Sequence, residues 1–431
     1  MRTTASAAFA ATLAASALAT IPVPPPTSAP LPPYRTAADA HPVGDGSTLP
    51  GPGTYTDGIA MGETRTYRVR LDATSNVFLS AVLAPAPGTP VDVVDGIALT
   101  LRTPDGLACG PRNDIRFYGD SARPIADYVS RRLEAGRACQ AAGEYELLVE
   151  TVGRDQAKDG ADRADPTDRT SAGPRHVLEL GYVTESPSRD APPPPATWST
   201  DPPDGALVTG KGQDVRGGTG FNDAAPLAAG GTWRDEVRPG ESRFYRVPVG
   251  WGQQLFARAR FGNAAAPYGA SALPDGLRLA VYNPARGAVD ERRALYTGAP
   301  ATLLLATAPA AYANRTASTT EAVAAMRFAG AYYLQVTLDR RAPGPVPVAL
   351  DLALTPSSRA STAAGDWAGA WAGAGTGGGA APEPAPDPTL RAIGIAGVTT
   401  GTVLVAGLGA WPVVVRVPRR RPRGRHARQS R

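Results

Sequence analysis

The chain has 431 residues, with 44 Lys+Arg against 39 Asp+Glu and a formal net charge of +5. Arg2, Arg391 and eight arginines beyond residue 415 supply that excess; removing these ten from +5 leaves −5 for the rest. No basic patch of the kind nucleic acid requires is therefore present, and nucleic acid is excluded as a partner.

From the N-terminus, Arg2 precedes an apolar run from Ala5 to Ile21, and Ala17-Leu18-Ala19 fits the small-residue cleavage pattern of a secretory signal, expected over residues 1–19. The alternative is an uncleaved N-terminal anchor. A Pro-rich segment follows over 20–43 and a first domain over 44–185. Residues 186–213, with Pro192-Pro193-Pro194-Pro195, read as a semi-rigid linker, and a second domain is expected over 214–355. Residues 356–391 are an Ala/Gly/Pro-rich stalk without the apolar content for a core. Ala392–Val415 is 24 residues without a charge, enough to span ~30 Å of hydrocarbon, and the arginine-rich tail 416–431 keeps the C-terminus cytoplasmic.

The two domains are copies. Gly53–Val69 (GTYTDGIAMGETRTYRV) and Gly231–Val247 (GTWRDEVRPGESRFYRV) share nine of 17 residues at an offset of 178, among them Asp57/Asp235, Gly62/Gly240, Glu63/Glu241, Arg65/Arg243 and Tyr67/Tyr245. Further on, Phe78 matches Phe256, Asp95-Gly96-Ile97 matches Asp275-Gly276-Leu277, Phe117-Tyr118 matches Leu295-Tyr296, and Tyr145 matches Tyr332. Period-two alternation such as Tyr67-x-Val69-x-Leu71 and Tyr332-x-Leu334-x-Val336 marks half-buried strands, with Leu178-x-Leu180-x-Tyr182 and Val348–Leu354 closing each copy. Six to eight short strands per copy without long helices predict an all-β fold: two tandem jelly-roll-like β-sandwiches plus one C-terminal transmembrane helix. Two helical exceptions are expected, from the spacing of Ile125, Tyr128, Val129 and Leu133, and from a capping box Ser318-Thr-Thr-Glu321.

Asp235-x-Val237-x-Pro239-Gly240-Glu241-x-x-x-Tyr245-x-Val247-x-Val249, then Gly252-Gln253-x-Leu255 and Ala329-Gly330-x-Tyr332-x-Leu334-x-Val336, resembles the bacterial pre-peptidase C-terminal domain. The first copy is similar through Gly62-Glu63, Tyr67-x-Val69 and Gly143-x-Tyr145-x-Leu147-x-Val149, but has Ala60-Met61 before Gly62 and lacks the Gly-Gln step. The resemblance covers roughly two thirds of the chain. It implies a jelly-roll-like accessory module of secreted proteins and supplies no catalytic residues.

Cys109 and Cys139 are an even pair in an exported domain, which reads as a disulfide. Of His41, His176 and His426, only His176 lies in a domain, and neither a G-x-S-x-G turn nor an H-E-x-x-H motif occurs. Glu63, Glu241, Asp57 and Asp235 read as turn or strand-edge residues. The acidic loop Asp155–Asp168 matches no EF-hand spacing and carries compensating basic residues, so it reads as solvated. Trp198, Trp251, Trp367 and Trp371 fall in linkers or loops. Gly397-Val-Thr-Thr-Gly401 is a G-x-x-x-G through which a homodimer could pack.

The sequence therefore predicts a single-pass cell-surface accessory protein with an extracellular ectodomain and no cofactor. It would bind or scaffold an extracellular protein or cell-wall glycan without catalysis, the two copies adding avidity if both engage at once. The alternative is an envelope hydrolase with an unrecognised carboxylate site.

Overall fold

The computed structural model describes residues 30–119, 121–134, 136–153, 174–185, 197–264, 272–316, 320–356 and the backbone of 367–369. The signal segment, the acidic loop Asp155–Asp168, Gly397 with Gly401, and the span Ala392–Val415 lie outside them. Among the described residues no helix is long and apolar enough to cross a membrane.

The first copy contributes β1 (His41–Pro42), β2 (Thr48–Leu49), β3 (Gly53–Ile59), β4 (Thr64–Leu71), β5 (Asn76–Ala84), β6 (Gly96–Arg102), β7 (Asn113–Arg116), β8 (Ile125–Arg131), β9 (Gly143–Val152) and β10 (His176–Glu185). The second contributes β11 (Gln213–Asp214), β12 (Ala225–Pro226), β13 (Thr232–Val237), β14 (Ser242–Val249), β15 (Gln254–Phe261), β16 (Leu273–Tyr282), β17 (Ala288–Tyr296), β18 (Ala301–Ala306), β19 (Gly330–Leu338) and β20 (Val346–Thr355). Copy one folds into sheets β1-β3-β10-β5-β8 and β2-β4-β9-β6-β7; copy two into β11-β13-β20-β15-β18 and β12-β14-β19-β16-β17. Adding ten to each label converts one copy into the other. Apart from the hairpins β6–β7 and β16–β17, which stay within one sheet, successive long strands alternate between facing sheets in jelly-roll order.

Register repeats as well as order. Tyr67 sits opposite Leu147 and Tyr245 opposite Leu334; Tyr145 sits opposite Val69 and Tyr332 opposite Val247. All four tyrosines are buried between their sheets. The turns entering β4 and β14 are also shared. Glu63 N–H donates to Ala60 O and Glu241 N–H to Arg238 O, with Gly62 at φ 82° and Gly240 at φ 76°, which glycine adopts without strain. Gly96 is required by close approach: a Cβ there would lie 1.9 Å from Ile115 O on the neighbouring strand.

Three sequence expectations are corrected. Ile125–Arg131 is a strand, because Ile125 and Val129 face the core of copy one while Ala126 and Tyr128 pack against copy two; burial on both faces erased the alternation. The short helix Glu321–Ala325 is capped by Thr320, whose hydroxyl accepts from Val323 N–H, so its start lies two residues past Ser318. Phe117, not Tyr118, occupies the place of Tyr296: Ile97 pairs with Ile115 and Leu277 with Ala294, and both Phe117 and Tyr296 are fully buried. The backbone of Trp367–Gly369, in the segment read as a stalk, pairs antiparallel with β10.

The sandwiches stack. The outer face of β3-β10-β5-β8 lies against the outer face of β14-β19-β16. Val82, Ala84 and Ala126 of copy one meet Phe221, Phe244, Tyr282 and Tyr333 of copy two, and Phe78 and Val183 meet Ala285 and Phe328. All nine residues of β5 are buried for this reason, alternate ones facing the core and the second copy. Each aromatic side chain buried there contributes about 1.5–3 kcal/mol.

Candidate functional site

Four polar residues repeated between the copies, Asp57/Asp235, Glu63/Glu241, Arg65/Arg243 and Tyr67/Tyr245, form one clamp, built twice. Tyr67 Oη donates to Asp57 Oδ2 at 2.8 Å and Tyr245 Oη to Asp235 Oδ2 at 2.8 Å. Arg65 Nη2 meets Glu63 Oε2 at 3.0 Å, and Arg243 Nη2 meets Glu241 Oε1 at 3.0 Å. Glu63 also accepts from Ala60 N–H, and Glu241 from Arg238 N–H. The clamp ties the β3–β4 and β13–β14 turns to their sheets. Burial, with the neighbouring Asp57 second, pushes the Tyr67 phenol well above its ordinary range, so it stays a donor. These carboxylates are engaged within their own sandwich.

Cys109 and Cys139 are disulfide-bonded, with Cα atoms 5.3 Å apart, tying the loop after β6 to the segment before β9. His176 is buried in β10; desolvation lowers its pKa, and Asp95 opposes this only in part. His41 is exposed and tilts against the Tyr55 ring at 5.9 Å. Trp198 is exposed, and Trp251 is partly buried in the turn before β15. The structure does not bring these residues together.

It brings together residues without a sequence signature, at the junction. Glu179 on β10 and Arg286 in the β16–β17 turn are both fully buried and ion-paired to each other. Tyr34 Oη donates to Glu179 Oε1 at 3.2 Å, Ala37 N–H to Oε2 at 2.9 Å, and Asn222 Nδ2 to Oε2 at 3.0 Å. Arg286 Nη2 donates to Asn222 Oδ1 at 2.7 Å, and its guanidinium lies 5.0 Å from the Phe221 ring centroid. Tyr34, in the segment read as a Pro-rich lead-in, is thus a wedge between the copies. A second buried pair lies nearby: Arg327 Nη2 meets Glu185 Oε2 at 2.7 Å, with its guanidinium 4.8 Å from the Phe78 ring. Among the described residues no group of acidic, histidine or cysteine side chains is arranged to hold a metal.

Clefts open along the junction. The first, of 280 Å³, runs between Tyr118, Ser121 and Arg123 of copy one and Asp275, Asp339 and Arg341 of copy two. Arg278 forms part of its floor; burial, reinforced by nearby Arg123, lowers its pKa to about 10, while Glu291 opposes the shift. The second cleft, of 250 Å³, passes Asn113, Asp127 and Arg132 on one side and Ala288 and Glu321 on the other. Desolvation raises the Asp127 carboxyl to about 6, against hydrogen bonds from Asn113 and the amides of Tyr128 and Ala288.

No protein-family model matches the sequence, and no curated protein matches it. Among solved structures, the chain is similar to the pre-peptidase C-terminal domain of a collagenase from Bacillus anthracis at 12% identity, over 32% of this chain and 95% of that one, with a TM-score of 0.18. It is similar to the tandem CBM51 modules of a family 98 glycoside hydrolase from Streptococcus pneumoniae at 9% identity, over 68% and 83%, TM-score 0.20. It is also similar to a periplasmic inhibitor of g-type lysozyme from Aeromonas hydrophila at 14% identity, over 30% and 96%, TM-score 0.17. Scores this low add nothing to the strand order described above, and none of these proteins' ligands or activities transfers to this chain.

Proposed function

We propose that the chain is an exported, membrane-anchored accessory protein whose stacked sandwiches bind an extracellular protein or a cell-wall glycan without catalysis. It belongs, in this reading, with the pre-peptidase C-terminal-like modules its motifs resemble. The supporting observation is the doubled clamp: Asp57, Glu63, Asp235 and Glu241, acids that recur in both copies, hold tyrosines, arginines and turn amides of their own sandwich. Both sandwich interiors are filled with side chains, which leaves the junction clefts and the two free outer faces for recognition. The copies are joined through their faces, so they act as one rigid binder and not as two tethered ones. The signal segment, the anchor Ala392–Val415 with its cytoplasmic arginines, and a homodimer through Gly397 and Gly401 complete this reading.

The test is binding of the full-length chain to purified cell wall and to candidate envelope proteins, run alongside peptidase and glycosidase assays. Saturable binding without turnover is expected. Turnover abolished by one Asp or Glu substitution that leaves the fold intact would replace this reading with the hydrolase. One observation favours that second reading: Asp127, raised to about 6, lines a cleft also lined by Glu321. Asp127→Asn is therefore the variant to assay first.

A further inference from the structure

The first junction cleft carries an aromatic side chain on an unusual backbone. Tyr118 has φ 48°, in the left-handed region that a bulky residue adopts only when its surroundings impose it. Here they do: Tyr118 N–H donates to Val93 O at 3.2 Å, and its carbonyl accepts from Arg278 Nη2 across the junction. The ring so placed is only half covered; Tyr118 remains 47% exposed. Arg293 of copy two lies over the ring, 5.2 Å from its centroid. Asp275, on the opposite wall, is also left-handed at φ 52°. Left-handed positions cost about 1–3 kcal/mol, and two of them in one cleft mark a built feature.

The polar groups around the ring are paired but not consumed. Asp275 Oδ2 lies 3.4 Å from Arg293 and 3.8 Å from Arg278; Arg341 Nε lies 3.0 Å from Asp339 Oδ1. Arg123, which also lines the cleft, is buried and keeps an Nε without a hydrogen-bond partner. Its Nη2 and Arg278 Nη1 share Glu291, at 3.3 and 2.9 Å, and Asp275 and Asp339 are set against Arg293 and Arg341, so among the described residues four arginines meet three carboxylates and keep a single positive charge in excess for an anion. Asp275 and Asp339 would repel one. Alternating planar donors and carboxylate acceptors beside a half-exposed aromatic ring suit a neutral polyhydroxyl ring: its hydroxyls bridge the Arg and Asp heads while its C–H face lies on tyrosine. A volume of 280 Å³ fits a ligand at the small end of the usual range.

We propose that this cleft is a carbohydrate subsite, taking a neutral sugar ring of a polysaccharide chain, with Tyr118 as the stacking platform and Asp275, Asp339 and Arg341 as the hydroxyl-reading groups. The proposal rests on the binding reading above and narrows its ligand to a glycan. Because copy one supplies the ring and copy two the reading groups, neither copy alone would carry the subsite.

The test is isothermal titration of the full-length chain with the N-acetylglucosamine tetramer and with cellotetraose, with inorganic phosphate as the anionic arm and purified cell wall as the polymer. Saturable binding of at least one tetrasaccharide is expected, with none of phosphate. Tyr118→Ala should weaken it at least about tenfold, and Tyr118→Phe should hold it within about threefold. Tyr118→Gly is the decisive variant: glycine accepts φ 48° freely, so thermal stability should be held or raised while binding is lost. Tetrasaccharide binding unchanged in Tyr118→Gly, or phosphate binding in place of sugar, overturns the subsite. Failure of both tetrasaccharides also overturns it, and cell-wall or protein binding indifferent to Tyr118 would then leave the broader binding reading standing. Cleavage of a tetrasaccharide would instead remove that broader reading.

Discussion

The two sandwiches share a fold and a register but differ in which face they bury. On β5 the outward residues Phe78, Ser80, Val82 and Ala84 are sealed against copy two. Their counterparts on β15 include Arg258 and Arg260, which reach Asp351 at 2.9 and 2.8 Å on a face partly open to solvent. The opposite sheets show the reverse. On β4 and β9, Thr66, Arg68, Glu146 and Glu150 face outward, and Arg102 pairs with Glu146 at 2.7 Å. At the places on β14 and β19 corresponding to Thr66, Glu146 and Glu150, Phe244, Tyr333 and Thr337 are buried. Copy one therefore docks with one sheet and copy two with the other. Such a head-to-tail contact does not close on itself and could add copies indefinitely. On the two remaining outer faces charged residues such as Arg68, Glu146, Arg258 and Arg260 stand where the junction has apolar ones, which disfavours docking of a further copy.

The largest expected effect is at the pair that holds the docked faces. Arg286→Ala leaves Glu179 buried without its cation and should cost about 3–5 kcal/mol by chemical denaturation, whereas Arg102→Ala, in the solvent-facing pair Arg102–Glu146, should cost under about 1. Only copy one has a disulfide. Its cysteines lie 30 residues apart, so Cys109→Ser with Cys139→Ser should cost about 3–4 kcal/mol in a denaturant titration. The clamps allow a direct comparison of copies. Arg243 and Glu241 are each 4% exposed, against 16% and 30% for Arg65 and Glu63. Tyr245→Phe should therefore cost more, about 2 kcal/mol against about 1 for Tyr67→Phe.

The smallest expected effect is a pH dependence confined to copy one's edge. Burial raises the Asp127 carboxyl from 3.8 to about 6 in the folded chain. A raised carboxyl favours folding in its protonated form. Its contribution is full below about pH 4 and lost as pH rises through about 6. Asp127→Asn should thus stabilise the protein at pH 7 by on the order of 1 kcal/mol, with no gain at pH 3.5. A stability–pH titration of both proteins checks the sign.

The sandwiches were legible in the sequence because one face of most strands meets a core and the other meets solvent, as in Tyr67-x-Val69-x-Leu71. The disulfide was legible from an even cysteine count. Where both faces are buried, as at β5 and β8, alternation disappears, and Ile125–Arg131 took on a helical look. Phe117-Tyr118 shows the limit of residue matching: the aromatic pair slips by one when aligned on tyrosine, while burial aligns Phe117 with Tyr296. The junction residues Tyr34, Glu179 and Arg286 have no local pattern, since a lone charge in a strand gives no sign of a partner over 100 residues away. A signal did exist in the repeat itself: Thr66 against Phe244 and Val82 against Arg260 are outward places where one copy is apolar and the other polar.

The central claim, that the copies form one stacked body, is tested most directly by scanning calorimetry of the full-length chain. The account predicts one transition in which both sandwiches unfold together, with a calorimetric to van't Hoff enthalpy ratio of about one, and its separation into two in Val82→Arg, which drives a charge into the junction. Two resolved transitions in the unaltered protein, unchanged by Val82→Arg, would contradict it.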